Sequence, residues 1–88
     1  MPTISMFFGI IIRMYFSPKE HTPPHFHAYY QDLKATININ TCEIIEGNLP
    51  PKQNKLVIAW AELHKDDLLA NWDLARNGEA PFKIDPLR

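Results

Sequence analysis

The chain has 88 residues, room for one small hydrophobic core, so residues 1–88 read as a single domain. Apolar residues make up 45% and charged residues 22%, with only three glycines, which is the balance of a folded domain and excludes a disordered tail. A net charge of −1 excludes the overall basic footprint of a general nucleic-acid or anionic-membrane binder and leaves only local patches.

A chain this short buries only about 60% of its unfolded surface, so a homo-oligomer or a partner protein would add to a thin margin. Cys42 is the single cysteine and cannot form an intramolecular disulfide, which points to a reducing compartment. The most apolar run, Met6 to Ile12, is too short to span a bilayer and lacks the basic leader and small-residue cleavage site of a signal peptide. It reads as strand in a cytoplasmic protein with no membrane role.

In chain order, Gly9 to Phe16 is rich in isoleucine and aromatics and ends at Ser17-Pro18, which marks a strand and a turn. Alternation puts Ile10, Ile12, Met14 and Phe16 on one face and Ile11, Arg13 and Tyr15 on the other. Ile4 to Phe8 is a candidate for an earlier short strand, with Gly9 as bend or bulge. Ser17 to Pro24 is loop chemistry, and its Pro23-Pro24 pair forces an extended backbone into His25 to Gln31, the second strand. There Phe26, Ala28 and Tyr30 share one face, and His25, His27 and Tyr29 share the other. Lys34 to Asn40 is a third strand, with Ala35, Ile37 and Ile39 alternating with Thr36 and Asn38. A tight turn at Asn40-Thr41 leads to a short fourth strand, Cys42 to Glu46, ended by Gly47-Asn48.

After Pro50-Pro51 the period changes: Leu56, Trp60 and Leu63, with Val57 and Ala61 beside them, recur at helical spacing up to His64. Leu68, Leu69, Trp72 and Ala75 form a second helical set, and Asn77-Gly78 is a stop. One helix over residues 52–77 would reach roughly 39 Å and overhang so small a domain. Two helices are therefore expected, broken near His64 to Asp67, with Asp66 capping the second. Pro81 to Arg88 is expected to lie extended along the surface. The fold class is α+β in two layers, an antiparallel meander of three to four strands followed by two helices packed on the Ile10, Phe26, Ile37 face.

Three of the four histidines fall within the seven residues His21 to His27. His25 and His27 share a strand face, and His21 on the preceding loop can fold towards them. Three readings follow. The rings can be structural, bonding to backbone or water. His21, His25 and His27 can ligate a divalent metal such as zinc, leaving an open fourth position. Or His25 and His27 can act as a general acid–base pair without any cofactor, since an ordinary imidazole titrates near pH 6.5 and serves in either role. Arg13 and Tyr15 belong to the same sheet face, and a cation beside two imidazoles suits a phosphodiester, whose charge Arg13 would hold. The bland alternative for Arg13 is a solvated pairing with Glu20 or Glu43.

Trp60 and Trp72 lie in apolar helical stripes and read as core or interface anchors. His64 reads as a cap at the helix break, and Cys42 as incidental, with no adjacent base or cation to activate it.

Several segments resemble the bacterial domain-of-unknown-function family 4160: Phe7-Phe8-Gly9-Ile10, Ile12-Arg13-Met14-Tyr15-Phe16, His21-Thr22-Pro23-Pro24-His25-Phe26-His27-Ala28, Trp60-Ala61-Glu62-Leu63-His64, Asn71-Trp72 and Lys83-Ile84-Asp85-Pro86-Leu87. The resemblance covers nearly the whole chain, and the segment Pro23-Pro24-His25-Phe26-His27 is its specific part. It implies a small stand-alone protein whose gene commonly neighbours that of a second small family. That arrangement suggests a toxin–antitoxin-like pair and a partner protein encoded nearby. It assigns no catalytic residue. Cys42 departs from the glycine expected in many relatives, and a cysteine there is costly if the turn needs a positive φ. The expected activity is metal-independent RNA cleavage by His25, His27, Arg13 and Tyr15; the rivals are a non-enzymatic protein-binding module and a His-ligated metal site.

Overall fold

The computed structural model describes residues 2–15 and 23–88; Phe16, the Ser17-Pro18 turn, Glu20 and His21 lie outside the described residues. A single antiparallel sheet runs in sequence order through β1 (Thr3–Phe7), β2 (Ile10–Arg13), β3 (His25–Tyr30), β4 (Leu33–Asn38) and β5 (Ile44–Gly47). Two helices follow, α1 (Pro51–Leu63) and α2 (Lys65–Arg76). The α+β meander is as the alternation predicts, but it has five strands and not three to four. The fifth is the early strand for which Ile4 to Phe8 is the candidate; it spans Thr3–Phe7 and pairs with β2 through Phe7↔Ile10, Met6↔Ile11 and Ser5↔Ile12.

β1 and β2 are joined by Phe8 and Gly9, with φ of +48° and +78°. Positive φ at both central residues is the signature of a type I′ hairpin turn, which suits the right-handed twist of the flanking strands. Glycine takes this conformation freely, whereas an aromatic side chain crowds its own carbonyl there at about 1–2 kcal/mol. Phe8 remains largely exposed and recovers little by burial. Phe8→Asn is therefore expected to stabilise the protein by about 0.5–1 kcal/mol, read as a higher urea midpoint at unchanged m-value; an unchanged or lower midpoint would show that the aromatic ring contributes more than its backbone costs.

The core forms on the face that alternation assigns. Ile10, Ile12, Phe26, Ala28, Ala35 and Ile37 are buried from the sheet, and Val57, Trp60, Ala61, Leu68, Trp72 and Ala75 from the helices, in one cluster. The Trp60 ring sits 5.4 Å from Phe7 and 5.7 Å from Phe26, so α1 lies directly across the sheet. Pro51 opens α1 at a position where its missing N–H costs nothing. The helical run breaks at His64 alone, which ends α1 and begins α2 with φ −119° and ψ +25°. Asp66 does not cap α2, whose N-cap residue is His64 and has no side-chain capping bond; Asp66 and Asp67 instead occupy the first turn, where the helix dipole favours negative charge. At the other end Gly78 takes φ +77°, and the Gly78 and Glu79 N–H groups bond the Ala75 and Leu74 carbonyls at 3.2 and 2.9 Å. This is a Schellman stop.

The segment after α2 is extended, as expected, but more than a surface tail. Buried Asn71 bonds both backbone groups of Phe82 at 2.8 Å, and Trp60 Nε1–H donates to the Asp85 carbonyl at 2.8 Å. The Ile84 N–H reaches the Ile4 carbonyl at 2.8 Å, and the Ile84 side chain joins the core. No helix among the described residues is long and apolar enough to cross a membrane.

Candidate functional site

The sheet register builds the site. Arg13 on β2 pairs with His27 on β3, His27 with Thr36 on β4, and Thr36 with Glu46 on β5, so four polar side chains form one transverse row on the face away from α1. The next row carries Ile11, Tyr29 and Lys34, and His25 pairs with Asn38 on the other side. Alternation alone sends these side chains to one face once Phe26, Ala28, Ala35 and Ile37 are committed to the core.

His25, His27, Arg13 and Tyr15 come together as expected. The His25 and His27 rings meet edge to face with centroids 5.3 Å apart, and Tyr15 stands edge-on to His27 at 4.5 Å. His25 Nδ1–H donates to the Pro23 carbonyl at 2.9 Å, which leaves its Nε2 as the reactive nitrogen. The Pro23-Pro24 segment thus orients the ring as well as extending the chain. His27 Nδ1 shares a 3.1 Å hydrogen bond with the Thr36 hydroxyl. On its other flank His25 packs 5.0 Å from the Trp72 ring, so a residue expected as a core or interface anchor also supports the site.

The environment of His27 disfavours its charged form. Burial first, then the positive charge of Lys34 and the neighbouring His25, lower the His27 pKa to about 4. His27 is therefore a neutral ring at pH 7. An ordinary imidazole titrates near 6.5, so between pH 6.5 and 4 the unfolded chain takes up a proton that folded His27 refuses. The contribution is complete above pH 6.5, is lost as pH falls, and stops changing below about 4. Solvent screening of this half-buried ring limits it to about 1–2 kcal/mol. Urea unfolding of the wild type should lose that much more stability between pH 7.5 and 4 than His27→Gln does; equal losses would show that His27 titrates normally.

Arg13 reaches over the Tyr29 ring, its Cζ 5.2 Å from the centroid, and its buried Nε has no hydrogen-bond partner among the described residues. No carboxylate pairs with Arg13 among those residues, so the Glu43 pairing is not formed, and Glu20 lies outside them. Lys34 Nζ stands 5.9 Å from the Tyr15 ring centroid and 5.7 Å from that of Tyr29. The two tyrosine hydroxyls bond each other. Burial and the bond to Tyr15 raise Tyr29 to about 12, which keeps it a phenol at neutral pH. Between His27, Lys34, Thr36, Glu46 and Gly47 lies a cleft of about 160 Å³.

Tyr29, Lys34, Thr36 and Glu46 have no role in the sequence reading, although the parity of the third predicted strand already put Thr36, and with it Lys34, on the histidine face. The metal reading needs His21, which lies outside the described residues; within them no three His, Cys, Asp or Glu side chains converge. Cys42 takes φ +59°, the left-handed conformation that makes a cysteine costly in this turn. Its thiol is pushed up to about 11 by burial and then by Glu62, so it is no thiolate nucleophile.

Searches among curated proteins and among solved structures found no match to this chain. A family model does match, over residues 9–73, a span that takes in every side chain of the row from Arg13 to Glu46 and both histidines, and the chain accordingly belongs to the family described as Domain of unknown function (DUF4160).

Proposed function

We propose that the protein cleaves RNA without a metal, as one component of a two-gene toxin–antitoxin-like module. The observation that carries this reading is the pair of imidazoles held at 5.3 Å on an open sheet face, with their Nδ1 atoms engaged and two cations beside them. Neutral His27 removes the proton from a ribose 2′-hydroxyl as its oxygen attacks phosphorus. Protonated His25 gives a proton to the 5′-oxygen as the phosphorus–oxygen bond breaks. The products are a 2′,3′-cyclic phosphate and a 5′-hydroxyl. Arg13 binds the non-bridging oxygens and offsets their charge in the transition state, and Tyr15 holds His27 edge-on. Because few cations line the face, the affinity for the RNA backbone is modest and its choice of site falls to local contacts.

The test is induced expression in a bacterial host of the wild type beside the His25→Ala, His27→Ala double substitution. Growth arrest with loss of total RNA, absent in the double substitution, is the expected result. Healthy growth with intact RNA in both favours the protein-binding reading. That alternative has one observation of its own: Phe8 is kept exposed in a costly left-handed turn, beside Tyr30 and Leu56.

A further inference from the structure

We infer that the cleft beside His27 is a guanine-recognition subsite, which makes the RNA cleavage selective for a guanosine next to the scissile phosphate. This rests on the reading of His25 and His27 as acting on RNA and adds the substrate preference. The cleft is lined by Glu46, Lys34, Thr36, Gly47 and His27. Glu46 pairs with Thr36 in the sheet register, and no ion pair of Glu46 is formed among the described residues. Residues that carry an acceptor-only carboxylate, a donor-only ammonium and a hydroxyl thus line the same small space.

The chemistry of the four bases decides what fits. A carboxylate accepts two parallel N–H bonds, and only guanine offers adjacent donors on one edge, N1–H and the N2 amino group. The neighbouring O6 of guanine is an acceptor, which suits Lys34. Adenine and cytosine set a lone pair beside their amino group, where it would face the carboxylate. Uracil flanks its one donor with two carbonyl oxygens. Mismatched bases would leave charged groups unpaired at the cleft. Thr36 connects this subsite to the chemistry, because the hydroxyl that lines the cleft also bonds His27 Nδ1 at 3.1 Å. Gly47 closes the wall with its backbone: a Cβ there would come within 2.2 Å of the Lys34 carbonyl, so the strand edge must approach closely at that point.

The experiment titrates the 3′-monophosphates of guanosine, adenosine, cytidine and uridine into the wild type and Glu46→Gln, with binding followed by calorimetry. Glu46 is exposed, and circular dichroism checks that the variant keeps its fold. The wild type should bind guanosine 3′-monophosphate roughly tenfold to a hundredfold more tightly than the other three, the range expected of one bidentate base contact. Glu46→Gln should level the four affinities, since its amide places a donor against the guanine donors. Equal affinities in the wild type, no binding of any nucleotide, or an unchanged preference in Glu46→Gln would each overturn the inference. The parent reading is separable by cleavage of a mixed-sequence RNA: cleavage without base preference overturns the subsite alone, and guanosine-selective binding without cleavage supports the subsite and overturns the catalysis.

Discussion

Replacing either His25 or His27 by alanine is expected to slow RNA cleavage by roughly 10²- to 10⁴-fold, the usual share of a positioned general acid or base. The fold should survive. Both rings lie on the open face, half-buried, and neither belongs to the core cluster. The melting temperature should fall by only a few degrees, as for other substitutions outside the core. The two variants are also distinguishable from each other. His27 takes the proton from the nucleophile, so His27→Ala should be equally impaired on any leaving group. His25 protonates the leaving oxygen, so a nucleoside 3′-(4-nitrophenyl phosphate), whose leaving group needs no proton, should restore most of the rate to His25→Ala. If that substrate rescues neither variant, or rescues His27→Ala instead, the assignment of roles is wrong.

The second large effect is structural. Trp60→Ala should cost about 3–5 kcal/mol, the range for removing a buried aromatic from a packed core. Trp60 is fully buried against Phe7 and Phe26, and its Nε1–H holds the Asp85 carbonyl at 2.8 Å. The substitution therefore opens a cavity under the sheet and frees the C-terminal segment together. Domains of this size have only about 5–10 kcal/mol in total, so much of the Trp60→Ala population should be unfolded at 37 °C. Trp60→Phe keeps most of the packing and loses only the donor, and about 1–2 kcal/mol is expected. Urea titrations measure both; a Trp60→Ala loss below about 1 kcal/mol would mean that the sheet and α1 are not held together there.

What could be read from the sequence follows from which signals are local. Strand alternation depends only on neighbouring residues, so it separates Phe26 and Ala28 from His25 and His27 and places Arg13 and Tyr15 beside the histidines. The helical spacing around Trp60 and Trp72 is likewise local, but the division into two helices follows from length, since one helix over residues 52–77 would overhang the domain. The structure narrows the break expected near His64 to Asp67 to His64 alone. The β1–β2 boundary is harder because the turn lacks its usual chemistry. An Asn-Gly pair would have announced the hairpin, but Phe8 stands in the left-handed position within an apolar run from Met6 to Ile12, so Gly9 alone marks the bend and Ile4 to Phe8 is only a candidate strand. The Asn71 clamp on Phe82 and the approach of Trp72 to His25 join residues far apart in the chain. Periodicity carries no information about such pairs. Glu46 enters the site for a similar reason: its position opposite Thr36 depends on a register shift between β4 and β5 that no pattern of side chains encodes.

Cleavage of the phosphodiester by two histidines and no metal is tested most directly by incubating the purified protein with a defined RNA in excess chelator and identifying the product ends by mass spectrometry. The expected products are 2′,3′-cyclic phosphate and 5′-hydroxyl ends that form at full rate in chelator and disappear in the His25→Ala, His27→Ala double substitution. Intact RNA, or cleavage that chelator stops and zinc restores, would contradict it.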